Sequence, residues 1–494
     1  MENLSIGRGI SRIDTDITHT DEITREFSLP DYIPEIRKLL GCKVGVLPEN
    51  RYSSKDNLEI NGALTYLVIY SDDEGKLCAV PLSSDFEMQI PLSEAEGTLF
   101  SDLALDSVTP KVIAPRKISI KTRLKARLLR SFTSALPESI VGNSSAEEMY
   151  IQRKLVKIPT YSLYPGKCEG LKISDKFDTG SLSSYKPLWC DAYICIKECK
   201  GEKGNISVLA DAHIECVLET ENEIQRVKKI VPITEEIDID FDEAVDMARA
   251  SAKCQSLSVS GEGSDLYFDL AFEIEGCGVK KQEYQATSDC YSTHLESDCI
   301  YKDVNAYEAI RIGTYTFTMQ EDTKKKSGES GEIIEKIAYP VCEKVDFKDS
   351  KLFILGKLVT TLISKINDQE YSTEGYELPF KYELDVKAPL QNPVASVSLS
   401  LGKINARYNE DRVQISADIY PSISLFDKRE VSVLDKATLL SDRVVKRDNG
   451  QVKVYFPKDS DTLWEVAKMY RITEADLKKN NQIENDTLKD AIII

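Results

Sequence analysis

Three stretches decide how this chain reads: Leu58-Glu-Ile-Asn-Gly-Ala-Leu-Thr-Tyr-Leu-Val-Ile-Tyr70, Ser207-Val-Leu-Ala-Asp-Ala-His-Ile-Glu-Cys-Val-Leu218 and Leu352-Phe-Ile-Leu-Gly-Lys-Leu-Val-Thr-Thr-Leu-Ile-Ser364. The first and third align without a gap, Gly62 on Gly356, 294 residues apart. The second sits halfway: placing Leu218 opposite Tyr70 and Ser364 gives steps of 148 and 146. Cys42 and Cys190 keep the step of 148. A polar turn follows the first two stretches, Ser71-Asp-Asp-Glu-Gly-Lys76 and Glu219-Thr-Glu-Asn-Glu223. Shorter alternating runs come next: Phe86-Glu-Met-Gln-Ile90, Ile237-Asp-Ile239 and Tyr382-Glu-Leu-Asp-Val386.

Apolar and polar residues alternate with period two, so these are strands with one buried face. A period of ~147 residues is far above the ~20–50 of a solenoid unit and reads as whole-domain repetition. Further strands fill each copy: Lys117-Ile-Ser-Ile-Lys-Thr-Arg-Leu-Lys-Ala-Arg127, Ser264-Asp-Leu-Tyr-Phe-Asp-Leu-Ala-Phe-Glu-Ile274, and Val397-Ser-Leu-Ser-Leu401 with Val413-Gln-Ile-Ser-Ala-Asp-Ile419. Turn-bounded strands at this density predict a mainly β chain of three sandwich-like or open-barrel domains. We place copy one, with an N-terminal segment, at 1–165, copy two at 166–320 and copy three at 321–435. A linker at 436–450 and a small tail domain at 451–494 complete the chain. Two segments carry helix signals, Tyr32-Ile-Pro-Glu-Ile-Arg-Lys-Leu-Leu40 and Phe241-Asp-Glu-Ala-Val-Asp-Met-Ala-Arg249. Lys324-Lys-Lys-Ser-Gly-Glu-Ser-Gly331 reads as a mobile loop and Asp442–Gly450 as a break before the tail.

Composition narrows the function. The 494 residues include 82 acidic and 63 basic side chains, a formal net charge of −19. Nucleic acid and anionic membranes need clustered positive charge, so neither is the expected partner. No apolar run approaches the ~20 residues that span a bilayer. Met1-Glu-Asn-Leu-Ser-Ile-Gly-Arg-Gly-Ile has no cationic start with an apolar stretch behind it, so we read no signal peptide and a cytosolic site of synthesis. The 12 cysteines are then expected to be reduced thiols. Two groups invite a metal reading: Cys190, Cys195 and Cys199, and Cys277, Cys290, His294 and Cys299. Only Cys195 and Cys199 have paired-ligand spacing, and no second pair follows. Buried thiols acting as small hydrophobes are the favoured reading, with no metal and no cofactor.

The tail has its own pattern. Val452-Lys-Val-Tyr-Phe456 reads as a strand. Leu463, Val466, Ala467 and Tyr470 mark one face of a helix, with Asp461 placed to cap it. Thr473-Glu-Ala-Asp476 is similar to a capping box and opens a second helix. Ala491-Ile-Ile-Ile494 closes as a strand. With Asp461-Thr-Leu-Trp464, Ala467, Tyr470, Leu477, Asn481 and the final Ile run, this βααβ order resembles a LysM domain. The resemblance implies binding of N-acetylglucosamine polymers by the two loops at one end. Carried over, these are Ser460, Asp461, Thr462 and Leu463, and Asn485, Asp486, Thr487 and Leu488. Asp and Thr oxygens suit the hydroxyl and N-acetyl groups, and Leu463 and Leu488 could pack on the acetyl methyl. The chain departs from the family pattern with Ser460 in place of the usual Gly and with Leu488-Lys-Asp490 in place of Pro-Gly. Glycan binding and a surface turned to protein binding therefore stand side by side. Trp464 and Tyr470 are either partner anchors or core.

The repeats resemble the SPOCS domain through Glu26-Phe-Ser-Leu-Pro-Asp-Tyr-Ile-Pro-Glu-Ile36, Cys42-Lys-Val44 and the Gly62 strand with its hairpin. Asp289-Cys-Tyr-Ser-Thr-His294 resembles that family's segment between copies. SPOCS repeats followed by a LysM domain are the layout of SipL-like proteins of endospore-forming Firmicutes. The resemblance implies a spore-envelope morphogenetic protein, made in the mother-cell cytosol and held at the forespore surface. There it would link a coat-morphogenetic ATPase of the basement layer to further coat proteins.

No enzyme pattern emerges. The three histidines are His19, His213 and His294. No G-x-S-x-G, H-E-x-x-H or P-loop sequence occurs, and no catalytic residue is assigned. One cationic stripe runs from Arg116 to Arg130. Its expected state is a solvated sheet face, the alternative a docking face for an acidic partner. The expectation is a non-enzymatic scaffold, the rival a peptidoglycan binder anchored through its tail.

Overall fold

The computed structural model describes residues 10–54, 57–92, 98–134, 139–141, 150–179, 185–220, 223–262, 265–326, 331–386, 389–445, 452–458, 461–483, 488 and 491–494. In chain order the first strands are β1 (Ile10–Ser28), β2 (Lys38–Ser53), β3 (Asn57–Ser71), β4 (Leu77–Pro91), β5 (Thr98–Ala114) and β6 (Lys117–Ser134), then a short β7 (Ser139–Val141). Next come β8 (Ile151–Phe177), β9 (Lys186–Gly201), β10 (Asn205–Glu219), β11 (Ile224–Asp238), β12 (Met247–Glu262) and β13 (Asp265–Ser292). The connecting β14 (Leu295–Thr314) leads to β15 (Phe317–Lys324), β16 (Glu332–Lys348), β17 (Lys351–Asn367), β18 (Glu370–Asp385), β19 (Pro393–Asn409) and β20 (Arg412–Val444). The C-terminal module holds β21 (Val454–Tyr455), helix α1 (Leu463–Tyr470), helix α2 (Glu474–Asn481) and β22 (Ile492–Ile493). Among the described residues no helix is long and apolar enough to cross a membrane.

One arrangement of strands occurs three times. The meanders β2-β3-β4, β9-β10-β11 and β16-β17-β18 are three-stranded and antiparallel. Their central strands are the three stretches that open the sequence reading. Each meander faces a second antiparallel sheet, ordered β1-β6-β5, β8-β13-β12 and β15-β20-β19. The hairpin after β3 shows how the turn is set. Asp72 Oδ1 accepts the amides of Glu74 (3.0 Å) and Lys76 (2.8 Å), and Gly75 takes φ +78°. That left-handed backbone costs glycine nothing.

The alternation of the central strands ends before the strands do. In β3 the outer positions Leu58, Ile60, Leu64, Tyr66, Val68 and Tyr70 fill the first sandwich core. Ile69, on the other face, is equally buried. It meets Leu40, Leu77, Trp189, Val217, Ile334, Ile337, Ile363 and Tyr371 in a separate core. Val217 of β10 and Ile363 of β17 reach that core from equivalent ends of their strands. The three meanders thus pack together through their back faces. The second sheets also meet, with Ile13 and Leu129 against Tyr161, Cys277 and Val279, and against Tyr307, Ile312 and Phe426.

Several expectations change here. Neither helix-like segment is helical. The amides of Ile36 and Arg37 donate to Pro115 O (2.8 Å) and Ser71 O (3.0 Å), and Tyr32 is 85% exposed in a turn. Around Phe241 the chain bends, Asp246 N donates to Val279 O (2.9 Å), and Met247 already begins β12. In both places pairing across strands takes the donors a helix would need. The cysteines are not all free thiols: Cys190 of β9 and Cys216 of β10 lie opposite each other and are disulfide-bonded. The boundaries drawn at 165/166, 320/321 and 435/436 fall inside β8, β15 and β20.

Candidate functional site

At the junction of the meanders, charge is spent on charge. Glu335 of β16 receives Lys43 Nζ of β2 (3.2 Å), Arg226 of β11 (2.9 Å) and Trp189 Nε1 of β9 (2.9 Å). Lys43 also pairs with Asp191, and Arg226 with Glu215 at 2.5 Å. The charged groups border a cavity of about 730 Å³. Burial alone would push the Glu335 carboxyl up, but Lys43 and Arg226, the Lys336 amide and Trp189 together hold it down to about 2. The cluster ties three segments far apart in sequence.

Four cations of the stripe are likewise paired. Arg116 meets Glu35, Lys117 meets Glu26, Lys121 meets Glu22 and Arg123 meets Asp106. Arg127 donates to the carbonyls of Cys342 and Val397, both at 2.7 Å, joining β6 to β16 and β19. The four ion-paired cations form a charge-balanced, partly exposed face, whereas Arg130 is buried.

Of the two cysteine groups, one disperses. Cys190 is in the disulfide, while Cys195 packs against Tyr420 and Gly402. From the other, Cys277 lies in the inter-sheet core and His294 stacks on Tyr150 at 3.8 Å. Cys290 and Cys299 come together, with sulfurs 3.6 Å apart. Among the described residues no three His, Cys, Asp or Glu side chains gather where they could hold a metal ion.

The C-terminal module builds from its caps. Thr462 is the N-cap of α1: its Oγ1 accepts Glu465 N (3.3 Å) while Glu465 Oε2 accepts Thr462 N (2.9 Å). This reciprocal box takes the role the sequence reading gave to Asp461. Asp461 instead turns back, its Oδ2 accepting Tyr455 OH (2.6 Å) and Lys458 N (2.8 Å). Those bonds, Tyr455 foremost, hold its carboxyl below the usual range. Arg471 ends α1 in the left-handed conformation. Thr473 caps α2 by accepting Asp476 N (3.0 Å). Asn481 then pins the closing strand: its amide donates to Ile493 O (2.8 Å) and its oxygen accepts Ile493 N (2.6 Å). Leu463, Val466, Ala467, Leu477 and Ile492 form the core, and Leu488 packs against it.

Comparison with known families picks out the two helices and the loops around them. Residues 458–489 match the LysM domain family. No curated protein and no solved structure matches the chain. The LysM match covers only this end of it.

The LysM module is docked on the body of the chain. Trp464 is buried: its ring meets Tyr291 edge-on at 5.0 Å and its Nε1 donates to Asp289 Oδ2 (2.7 Å). Lys468, one turn on, reaches both Asp289 oxygens at 2.7 and 2.8 Å. Tyr291 OH donates to Ile472 O (2.6 Å). Tyr301 of β14 donates to Asp289 Oδ1 (2.6 Å). Burial would raise the Asp289 carboxyl, yet these donors, Lys468 foremost, hold it below its ordinary value. The chain enters the module beside the same spot, since Val445 N donates to His294 O (2.8 Å). The segment Asp289–His294 is therefore the module's seat.

The sequence-selected residues fall out unevenly. Trp464 is an internal anchor, and Tyr470 packs edge-on to Tyr455 at 5.7 Å and stays partly exposed. Leu463 is buried in the module core and offers no methyl to a sugar. Asp461 and Thr462 are at the loop end, making only local bonds. Ser460, Asn485, Asp486 and Thr487 lie outside the described residues. Sequence reasoning marked Asp289–His294 only as a segment between copies and missed its pairing with Lys468, because a seat shared between segments ~180 residues apart has no local signature.

Proposed function

We propose that this chain is a non-enzymatic envelope-binding protein whose LysM module takes N-acetylglucosamine-containing glycan while the three two-sheet units form the frame. The family match of residues 458–489 carries the reading. The docking geometry supports it. The module sits down on the outer face of α1, through Trp464 and Lys468, so the end bearing Asp461 and Thr462 is not what touches Asp289 and Tyr291. The test uses the full chain on insoluble purified peptidoglycan. Retention should saturate, be released by excess chitooligosaccharide, and weaken in an Asn485→Ala, Thr487→Ala double variant. Retention unchanged by the sugar and by the variant refutes it.

A second reading keeps the spore-envelope scaffold and has its own observation. Val452, Val454 and Phe456 alternate along the segment around β21 and are 75%, 53% and 75% exposed. Ile493, 49% exposed, stands opposite Val454 on β22. Exposed apolar side chains clustered in this way suit a protein partner. In this reading the chain is made in the mother cell and lies at the forespore surface. Its module docks to the coat-morphogenetic ATPase, and the units recruit other coat proteins. A Val454→Ser, Phe456→Ser variant should then lose the purified ATPase and keep glycan retention. Undiminished ATPase binding by that variant refutes this cluster as the docking face.

A further inference from the structure

The two thiols at the module's seat stand apart from the other cysteines. Cys290 is the residue after Asp289, near the end of β13. Cys299 lies across the turn on β14, two residues before Tyr301. Their sulfurs are 3.6 Å apart and hydrogen-bonded, and both are free. They sit between Leu434 and Ala437 of β20 and Ile151 of β8. Cys290 is buried; Cys299 is partly exposed and so open to a small reagent. The two are also unlike in acidity. The contact with Cys290 holds Cys299 below the ordinary thiol range, helped by Ser297, Tyr301 and Lys468 against the opposing push of burial. The same contact, with burial, drives Cys290 up. Elsewhere burial raises the free thiols Cys42, Cys199 and Cys254 to about 12. A thiolate-prone, reachable cysteine beside a resolving one is the arrangement that oxidises first.

We propose that Cys290 and Cys299 are a redox modification site, closing to a disulfide that clamps the LysM module onto its seat. The co-reactant is a low-molecular-weight disulfide. The Cys299 thiolate attacks one of its sulfurs and expels one thiolate, giving a mixed disulfide. Cys290 gives up its proton and attacks Cys299 Sγ, and the second small thiolate leaves. Two protein thiols are oxidised, and one small disulfide is reduced to two thiols. The new bond ties β13 to β14 between Asp289 and Tyr301. It thereby fixes the carboxylate that Trp464 and Lys468 grip.

The chain itself provides the assay. No Lys or Arg separates the two cysteines, so trypsin leaves both in one peptide, Gln282–Lys302. The full chain is equilibrated with oxidised and reduced glutathione, alkylated and digested. In parallel, hydrogen exchange is followed across α1. The expected result is that this peptide loses two hydrogens and escapes alkylation at a less oxidising ratio than the peptides bearing Cys42 or Cys254. Exchange in α1 should slow by about tenfold on oxidation. The slowing should be absent in Cys299→Ser and Cys299→Ala, two variants that guard against a folding artefact in either. Both cysteines staying alkylatable while Cys42 or Cys254 oxidises overturns the site. Oxidation of the pair with unchanged α1 exchange overturns the clamp.

Discussion

Replacing Glu335 by glutamine asks how strongly charge holds the three units at their junction. The Glu335 side chain is 2% exposed and takes Lys43 at 3.2 Å and Arg226 at 2.9 Å. Its carboxyl is held down to about 2 from an ordinary 4.5. At ~1.4 kcal/mol per unit, that gap contributes about 3 kcal/mol to folding at neutral pH. The folded value lies below the unfolded one. The contribution is therefore complete above about pH 4.5 and drains away as pH falls toward 2. From pH 7 to pH 3 the native chain should lose about 2 kcal/mol through this group alone. Glutamine keeps the size and an acceptor for Trp189 but cannot be charged. It leaves Lys43 to Asp191 and Arg226 to Glu215. The expected cost is about 3 kcal/mol at pH 7, with a shallower loss in acid. Urea titrations over a pH series, followed through Trp189 emission, give both quantities, since that indole touches Glu335. An unchanged midpoint at pH 7, or an acid slope equal to that of the native chain, refutes the reasoning.

Asp289→Ala removes the acceptor of Trp464 and Lys468. Allowing for the partial exposure of Lys468, docking should weaken by about 2 kcal/mol, roughly thirtyfold, seen as a red shift of Trp464 emission and faster exchange in α1. The Asp289 carboxyl is held low, so docking in the native chain should persist above pH ~4 and release as acid protonates it; the same emission shift reads this out. Thr462→Ala removes the cap of α1 and should cost the module about 1 kcal/mol, read from its exchange rates against those of the frame. Gly356→Ala puts a Cβ into the Val341 carbonyl and the Phe380 ring, for an expected loss of about 3 kcal/mol in thermal unfolding; Gly375→Ala, with open space around it, is the control and should change little.

The strands and the tail were legible because their signals are local. Period two in Leu58–Tyr70 and period 3.6 in Leu463–Tyr470 each need only a dozen residues. The junction was harder, yet its trace is present. Leu67-Val-Ile-Tyr70, Cys216-Val-Leu218 and Leu362-Ile363 all break the alternation at the same end of the central strand. A strand buried on both faces must have a second neighbour. The helix-like spacings at Tyr32–Leu40 and Phe241–Arg249 misled because apolar spacing says nothing about where the amides bond, and cross-strand acceptors claimed them. The acidic loop residue Asp461 looked like a cap by type. Thr462 won because its partner Glu465 sits three positions on. The seat was illegible for a different reason: Asp289, Tyr291 and Lys468 meet only after two unrelated elements have folded.

The path of β20 bears on how the chain carries load. This strand leaves the third sandwich, runs to Val444 and hands over directly to the segment that enters the LysM module. Along Ser422–Val444 it is bonded to β14, and along Arg412–Asp427 to β19. A pull on a tethered tail therefore acts along the axis of a strand whose last stretch, Lys428–Val444, is held by β14 and, at Lys436–Thr438, by β7. Its interstrand bonds would have to yield together in shear, not open one at a time like a zipper. The module's grip on Asp289 lies beside the start of β14, the strand that runs antiparallel to β20. Tension arriving through the tail is thus shared between β20 and β14 of one sheet and, through the grip on Asp289, β13 of another.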